Sequence, residues 1–242
     1  MTTPVETLTT SFPGATDQPF ATVAFDLYRD IHKGIRAELF AVTSSAGSLD
    51  PSDRMGRLAL ADHVDAVIAL LESHAAHEDG HIEPALRTHL PELAERVADD
   101  HLALDGHIAW IGKLARQAVD ATAAEQRALT HHIYLELTAF TSAYLTHQLI
   151  EERVIMPALV PAVGVDAVVG MHIAIVSSIP PAEMAQSLAL MIPAMNLDDR
   201  VELFEGMRMT APPEAFNGTV SIARSVLDPA DFAALGDRLK IS

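Results

Sequence analysis

Apolar side chains recur along much of this chain at spacings of three and four, as in Leu137, Phe140 and Tyr144. That spacing lines one side of a helix, whereas a strand would alternate at two. The pattern predicts four long helices. The first covers about 20–44, through DLYRDIHKGIRAELFAV, and gives way to a loop at SSAGS. The second begins near LDPSDRM, with Pro51 in its first turn close to an aspartate cap, and ends near Glu83 and Pro84. The third starts after Pro91 and runs to about 118; the fourth spans about 122–156 and stops at Met156 and Pro157. Four long helices with short connections fold as an antiparallel up-and-down four-helix bundle, so the expected class is all-α. Helices of this length draw on packing more than on intrinsic propensity.

The last 85 residues differ. GVDAVVGMHIAIVSSI, PPAEMAQSLALMI, LDDRVELFEGMRM, PPEAFNGTVSIARSVL and DPADFAALGDRL read as five shorter helices. In the last, Asp228 is placed to cap, Pro229 suits the first helical position and Asp231 falls at the capping-box position. The expected organisation is a polar tail over 1–17, a bundle over 18–160 and a helical extension with additional short C-terminal helices over 161–242. Being apolar on one side, the extension is expected to pack on the bundle, on a second copy in a homodimer, or on a partner protein. Nothing in it is spaced like a catalytic cluster.

Composition narrows the function. Of 242 residues, 49% are apolar and only 5% aromatic, which favours helix over strand. A formal charge of −17 repels nucleic acid and anionic membranes. There is no basic patch with interleaved aromatics and no phosphate-binding glycine loop, so no nucleic-acid partner is expected. The absence of cysteine excludes disulfides, iron–sulfur clusters and thiolate zinc sites. The N-terminus lacks a signal-peptide pattern, and no apolar run reaches the length of a membrane span. No membrane partner and a cytoplasmic location are the expectations.

Two stretches carry the chemistry. HAAHEDGHIEPAL and HQLIEERVIMPAL share the pattern H-x-x-x-E-[DE]-x-x-x-x-P-A-L, with His74 and Glu78 in one and His147 and Glu151 in the other. DIHKGIRAEL and DDHLALDGHI align more loosely and set His32 over His101. The offsets are 73 residues for the first pair and 69 for the second, as a duplicated helix hairpin would leave. Residues four apart on a helix share a face, so each H-x-x-x-E pair faces one site. His32 and His101 add one nitrogen each. Imidazole plus carboxylate suits iron, manganese or zinc more than copper(I). Four histidines and two glutamates are too many ligands for one open ion, and suit two ions bridged by the glutamates.

Asp105, four past His101 and on its face, or His107, six past, is a candidate further ligand. His77 and His81 lie on the side of His74 and Glu78 and are candidates for an extra ligand or a supporting donor. Glu152, directly after Glu151, is a candidate additional ligand. His63 and His89 read as surface residues, and His131, His132 and His172 carry no spacing signal.

With HAAHED and EPAL, HQLIEE and MPAL, RDIHKGIR and DDHLALD in view, the chain resembles the hemerythrin family, in particular the bacterial hemerythrin-like HHE cation-binding proteins, over about 25–160. The resemblance implies a four-helix bundle holding a diiron centre, with His32, His74, Glu78, His101, His147 and Glu151 at the matching positions. Oxygen-carrying members place a histidine pair four apart on the third helix. Here Asp105 takes the second position if His101 is the first, and Ala103 the first if His107 is the second. The carriers use an aspartate five past the fourth-helix histidine, where this chain has Glu152, with Glu151 before it. A more carboxylate-rich site than the carriers' is therefore expected. The functions this implies are binding or activation of dioxygen, peroxide or nitric oxide, extending to an oxidase or oxygenase with a small organic substrate. The alternative is an iron or oxygen sensor acting through the C-terminal helices. A structural bundle with fortuitous histidines is the third possibility.

Overall fold

The computed structural model describes residues 22–241. The expected tail over 1–17, and residues 20 and 21 of the expected first helix, lie outside the described residues. Eleven helices follow: α1 (Arg29–Ser48), α2 (Arg54–His81), α3 (Glu83–His89), α4 (Pro91–Val119), α5 (Gln126–Ile150), α6 (Met156–Val163), α7 (Val165–Ser178), α8 (Pro181–Ala194), α9 (Leu197–Thr210), α10 (Pro213–Val226) and α11 (Pro229–Leu239). A π-turn, Glu151–Ile155, joins α5 to α6. The protein is all-α among the described residues.

The long helices α1, α2, α4 and α5 form the bundle, each packed on two of the others. Their core includes Ile35, Leu39, Val64, Ile111, Leu137 and Phe140, all essentially without solvent contact. Each such side chain contributes about 1.5–3 kcal/mol of burial. A second apolar cluster, with Tyr28, Ile82, Leu86, Val97, Ile150, Ile155 and Val168, closes one end of the bundle with help from α3, α6 and α7. A third, with Leu188, Ile192, Phe204, Ala223 and Leu235, is the separate core of α8–α11.

Several boundaries differ from the sequence reading. The first helix begins at Arg29, because the Asp26 carboxylate accepts from the backbone N–H groups of Tyr28 at 2.9 Å and Arg29 at 3.2 Å. It also continues through SSAGS to Ser48. Packing holds that weak last turn: Ala46 is buried, and a side chain at Gly47 would lie 3.0 Å from the Tyr134 ring. Pro51 belongs to the preceding turn, closed by the Asp53 N–H donating to the Asp50 carbonyl at 3.0 Å, and α2 starts only at Arg54.

The two matched prolines act differently. Proline lacks an N–H and clashes with the carbonyl four residues back. At Pro84 the helix breaks at Ile82 and restarts as α3. At Pro157 it does not stop: the π-turn absorbs the misfit, the Met156 N–H bonds back to the Glu151 carbonyl, and helix continues to Val163. Gly164, at φ 87°, then turns the chain.

The five C-terminal helices match the sequence reading closely. Asp228 caps α11 by accepting from the N–H groups of Ala230 and Asp231, both at 2.9 Å. The Asp231 carboxylate does not return the bond expected of a capping box; it accepts from Arg200 at 2.7 Å. The extension packs on the bundle, α8 against α1. A side chain at Gly34 would meet Leu190 at 2.9 Å, so glycine permits this approach. Arg29 pairs with Glu202 at 3.0 Å, Lys33 with Asp199, and Ser73 donates to Glu183. Among the described residues, no single helix is long and apolar enough to cross a membrane.

Candidate metal centre

The histidines lie between two apolar layers. Along each long helix, one turn on one side reaches the bundle core and one turn on the other reaches the end cluster. Ile35 and Tyr28 flank His32, Leu71 and Ile82 flank the His74–Glu78 pair, Leu104 and Val97 flank His101, and Tyr144 and Ile150 flank His147. The amphipathic pattern that builds the bundle therefore carries these polar groups into its interior. His32, Glu78, His147 and Glu151 are all at most 5% exposed.

The structure brings together His32, His74, Glu78, His101, His147 and Glu151. Glu78, His101, His147 and Glu151 each offer an atom within 4.8 Å of the others, as do His32, His74 and Glu78. Glu78 Oε1 lies 3.0 Å from His74 Nε2, and its Oε2 lies 3.4 Å from His101 Nε2. Glu151 Oε1 lies 3.2 Å from His147 Nε2, and its Oε2 lies 3.5 Å from His32 Nε2. The Nε2 atoms of His32 and His74 are 3.2 Å apart. Each carboxylate thus presents one oxygen to each histidine pair.

Both Glu78 oxygens, Glu151 Oε2 and both His147 ring nitrogens are buried without a hydrogen-bond partner. Buried polar atoms in that condition cost about 1–3 kcal/mol each. A pair of cations bound by nitrogen and oxygen would satisfy them, and the donor set fits such a pair.

Charge supports the same fit. Burial pushes the Glu78 carboxyl up, but His74, His101 and His32 around it outweigh this and hold it well below the usual carboxylate range. Burial pushes His147 down, and Asp100, Glu151 and Glu78 together raise it to about 10. His32 and His101 are also raised against burial, His32 by Glu152, Glu78 and Glu151 and His101 chiefly by Glu78. Imidazoles and carboxylates of opposite charge preference thus face one another, and divalent ions bound here would displace protons from the imidazoles.

A ring of carboxylates backs the histidines. Glu152 accepts from His32 Nδ1 at 3.0 Å and from Arg36 at 2.8 Å. Asp79 accepts from His101 Nδ1 at 3.2 Å, and Asp100 lies 3.7 Å from His147 Nδ1, an ion contact longer than a hydrogen bond. Such partners fix the tautomer and aim the other nitrogen inward. In both H-x-x-x-E-[DE] stretches, then, the glutamate enters the cluster while the next acid supports a histidine on a neighbouring helix. Spacing had marked Asp79 and Glu152 as matched, yet not their shared role. Asp100, Arg36 and Tyr28, whose ring stacks on His32 at 5.1 Å between centroids, carried no usable signal.

The other candidates fall outside the cluster. His107 pairs with Glu136 at 3.0 Å. Asp105 is exposed and lines a small cavity beside His101. His77 lies 4.0 Å from Glu183 of α8, and His81 is half-buried, apart from both donor groups.

Fold and site together define a helical bundle with two adjoining groups of buried histidine and glutamate side chains, each close enough to hold a metal ion. The family model of the hemerythrin HHE cation-binding domain matches residues 23–159, more than half of the 242-residue chain, and the chain belongs to this family. No curated protein and no solved structure matches it.

Proposed function

We propose that this is a non-haem diiron protein that binds or activates dioxygen, peroxide or nitric oxide, with His32, His74, Glu78, His101, His147 and Glu151 as metal ligands. The observation that carries this reading is the pair of buried glutamates, each with one oxygen toward each histidine pair. Iron suits these nitrogen and oxygen donors, and manganese is the other candidate. When bound, two irons supply a pair of one-electron reductants to a small ligand. The protein's own groups position and shield. Glu152 and Asp79 hold His32 and His101, and the apolar layers above and below exclude water.

The test is to count metals per chain, reduce the protein without air and follow its visible spectrum as oxygen is admitted. Two irons with absorption that appears on oxygen and fades on degassing fit reversible binding. Two irons oxidised once, with oxygen consumed, fit activation. Fewer than two metals, or no spectral response, would refute the reading.

A second reading, a metal or oxygen sensor, draws on α1. One side of this helix places His32 and Arg36 at the cluster; the other carries Gly34 against Leu190 and Lys33 against Asp199. A shift of α1 with metal state would reach α8–α11 and a partner beyond. Hydrogen exchange of α8 and α9 that changes on metal loading supports this reading, and unchanged exchange counts against it.

A further inference from the structure

A file of rings leads from the cluster to the surface. Along α5, Phe140, Tyr144 and His147 follow one another at four and three residues, so their rings share one side of the helix. Tyr144 meets His147 on one side and Phe140 on the other, both at 5.7 Å between centroids. Phe140 meets His107 of α4 at 5.6 Å, and His107 meets Trp110 at 6.3 Å. Each contact lies in the ordinary range for neighbouring rings. Phe140, Tyr144 and His147 are buried, whereas Trp110, the sole tryptophan of the chain, is 41% exposed.

Trp110 and Tyr144 are the members of the file that lose a single electron readily. His107 and Phe140 do not, and they bridge the other two. Tunnelling falls off exponentially with distance, so touching rings favour transfer between indole and phenol. Charge is arranged for it at both ends. His107 and His132 flank the indole, His132 at 5.4 Å, and Glu136 contacts them at 3.0 and 3.4 Å. A carboxylate therefore stands near the place where positive charge develops on Trp110. At the inner end, the exposed Asp105 carboxylate lines the same small cavity as Tyr144 and is placed to take the phenolic proton.

We propose that this file carries single electrons inward from neutral phenols docked at Trp110, so that the protein oxidises phenols at its surface at the expense of peroxide. This rests on the peroxide-activating reading of the cluster. Peroxide takes up two electrons and two protons and becomes two waters. Two phenols supply the electrons, each losing one proton to solvent and becoming a phenoxyl radical. Each electron enters at the Trp110 indole, passes to the Tyr144 phenol and reaches the cluster beside His147. Tyr144 releases its proton toward Asp105 when it gives up an electron and regains it when it is refilled. The formal charge of −17 turns away anionic reductants and leaves neutral ones unaffected.

The loaded wild-type protein with peroxide should convert guaiacol to its coloured coupling product, and Trp110→Phe, loaded with as much metal, should lose that conversion. Without guaiacol, rapid freezing after peroxide should trap a tryptophan-centred radical that Trp110→Phe lacks. A further readout needs no metal. Azide radicals made by pulse radiolysis oxidise the single tryptophan of the metal-free chain. Its absorption should then give way to that of a tyrosyl radical at a rate independent of protein concentration, and Tyr144→Phe, which keeps the ring and its packing, should lose this step. Guaiacol oxidation unchanged in Trp110→Phe overturns the proposal, as does a loaded protein that leaves guaiacol untouched. A tyrosyl radical that persists in Tyr144→Phe, or never forms in the wild type, overturns the ring path whatever the metal content. A chain that takes up fewer than two metals sinks the diiron reading and the phenol oxidation with it, while the metal-free transfer still decides the path.

Discussion

Replacing His101 and His107 separately by alanine distinguishes the site described here from the other register of α4. His101 Nε2 lies 3.4 Å from Glu78 Oε2, inside one donor group of Glu78, His101, His147 and Glu151. Without it, His147 is the only imidazole left in that group. Changes to groups that merely support a ligand cost about 10–100-fold in metal affinity. Loss of the ligand itself should cost at least the upper end, about 100-fold or about 2.7 kcal/mol. His107 makes a half-exposed contact with Glu136 at 3.0 Å. Its loss should cost about 0.2–1 kcal/mol of stability, a fall in Tm of about 1–4 °C. The assay is metals per chain by mass spectrometry after desalting, with a thermal melt to confirm folding. The expected values are about one ion for His101→Ala and about two for His107→Ala. A folded His101→Ala protein that keeps two ions, or a His107→Ala protein that loses one, would refute the assignment.

Three further outcomes follow from the same geometry. Chelation should lower Tm, since a ligand at a hundred times its Kd stabilises by about 2.7 kcal/mol per site; equal melting curves with and without chelator would contradict a loaded site. Glu152→Ala removes the acceptor on His32 Nδ1 and should weaken metal affinity by about 10–100-fold while leaving two ions at saturation; competition against a fluorescent chelator measures this, and wild-type affinity would argue that Glu152 pairs only with Arg36. Arg57 is buried and donates to the carbonyls of Ala118 at 2.6 Å and Val119 at 3.2 Å as well as to Pro51. Arg57→Met should therefore cost about 2–4 kcal/mol in urea unfolding by stranding those acceptors, and a loss near zero would show that water reaches them.

The clustered histidines and glutamates were legible because helical geometry is local. His74 with Glu78, and His147 with Glu151, share a face at any four-residue spacing, and the repeat showed that both faces turn to one interior. What supports them was harder to read. Asp79 and Glu152 serve histidines 22 and 120 residues away in the chain, on helices whose rotation is set by packing. The choice between His101 and His107 was also a question of rotation: Leu104 and Ile108 face the core, which carries His101 to the cluster and leaves His107 at the side of Phe140 and Trp110.

The prolines mark the same boundary between local and global control. By itself the sequence determined the helical class, the four long apolar stripes, the duplicated H-x-x-x-E-[DE] pattern and the five short C-terminal helices, because each depends on spacing within a few turns. Only the tertiary structure decided that Pro84 breaks its helix while Pro157 is absorbed by a π-turn, with Glu151 and Glu152 in that turn. It also decided that α8 lies on Gly34, and that the Tyr28 ring covers the His32 imidazole. These outcomes depend on which surfaces meet across the bundle, and a one-dimensional pattern constrains such meetings only through the packing they must satisfy.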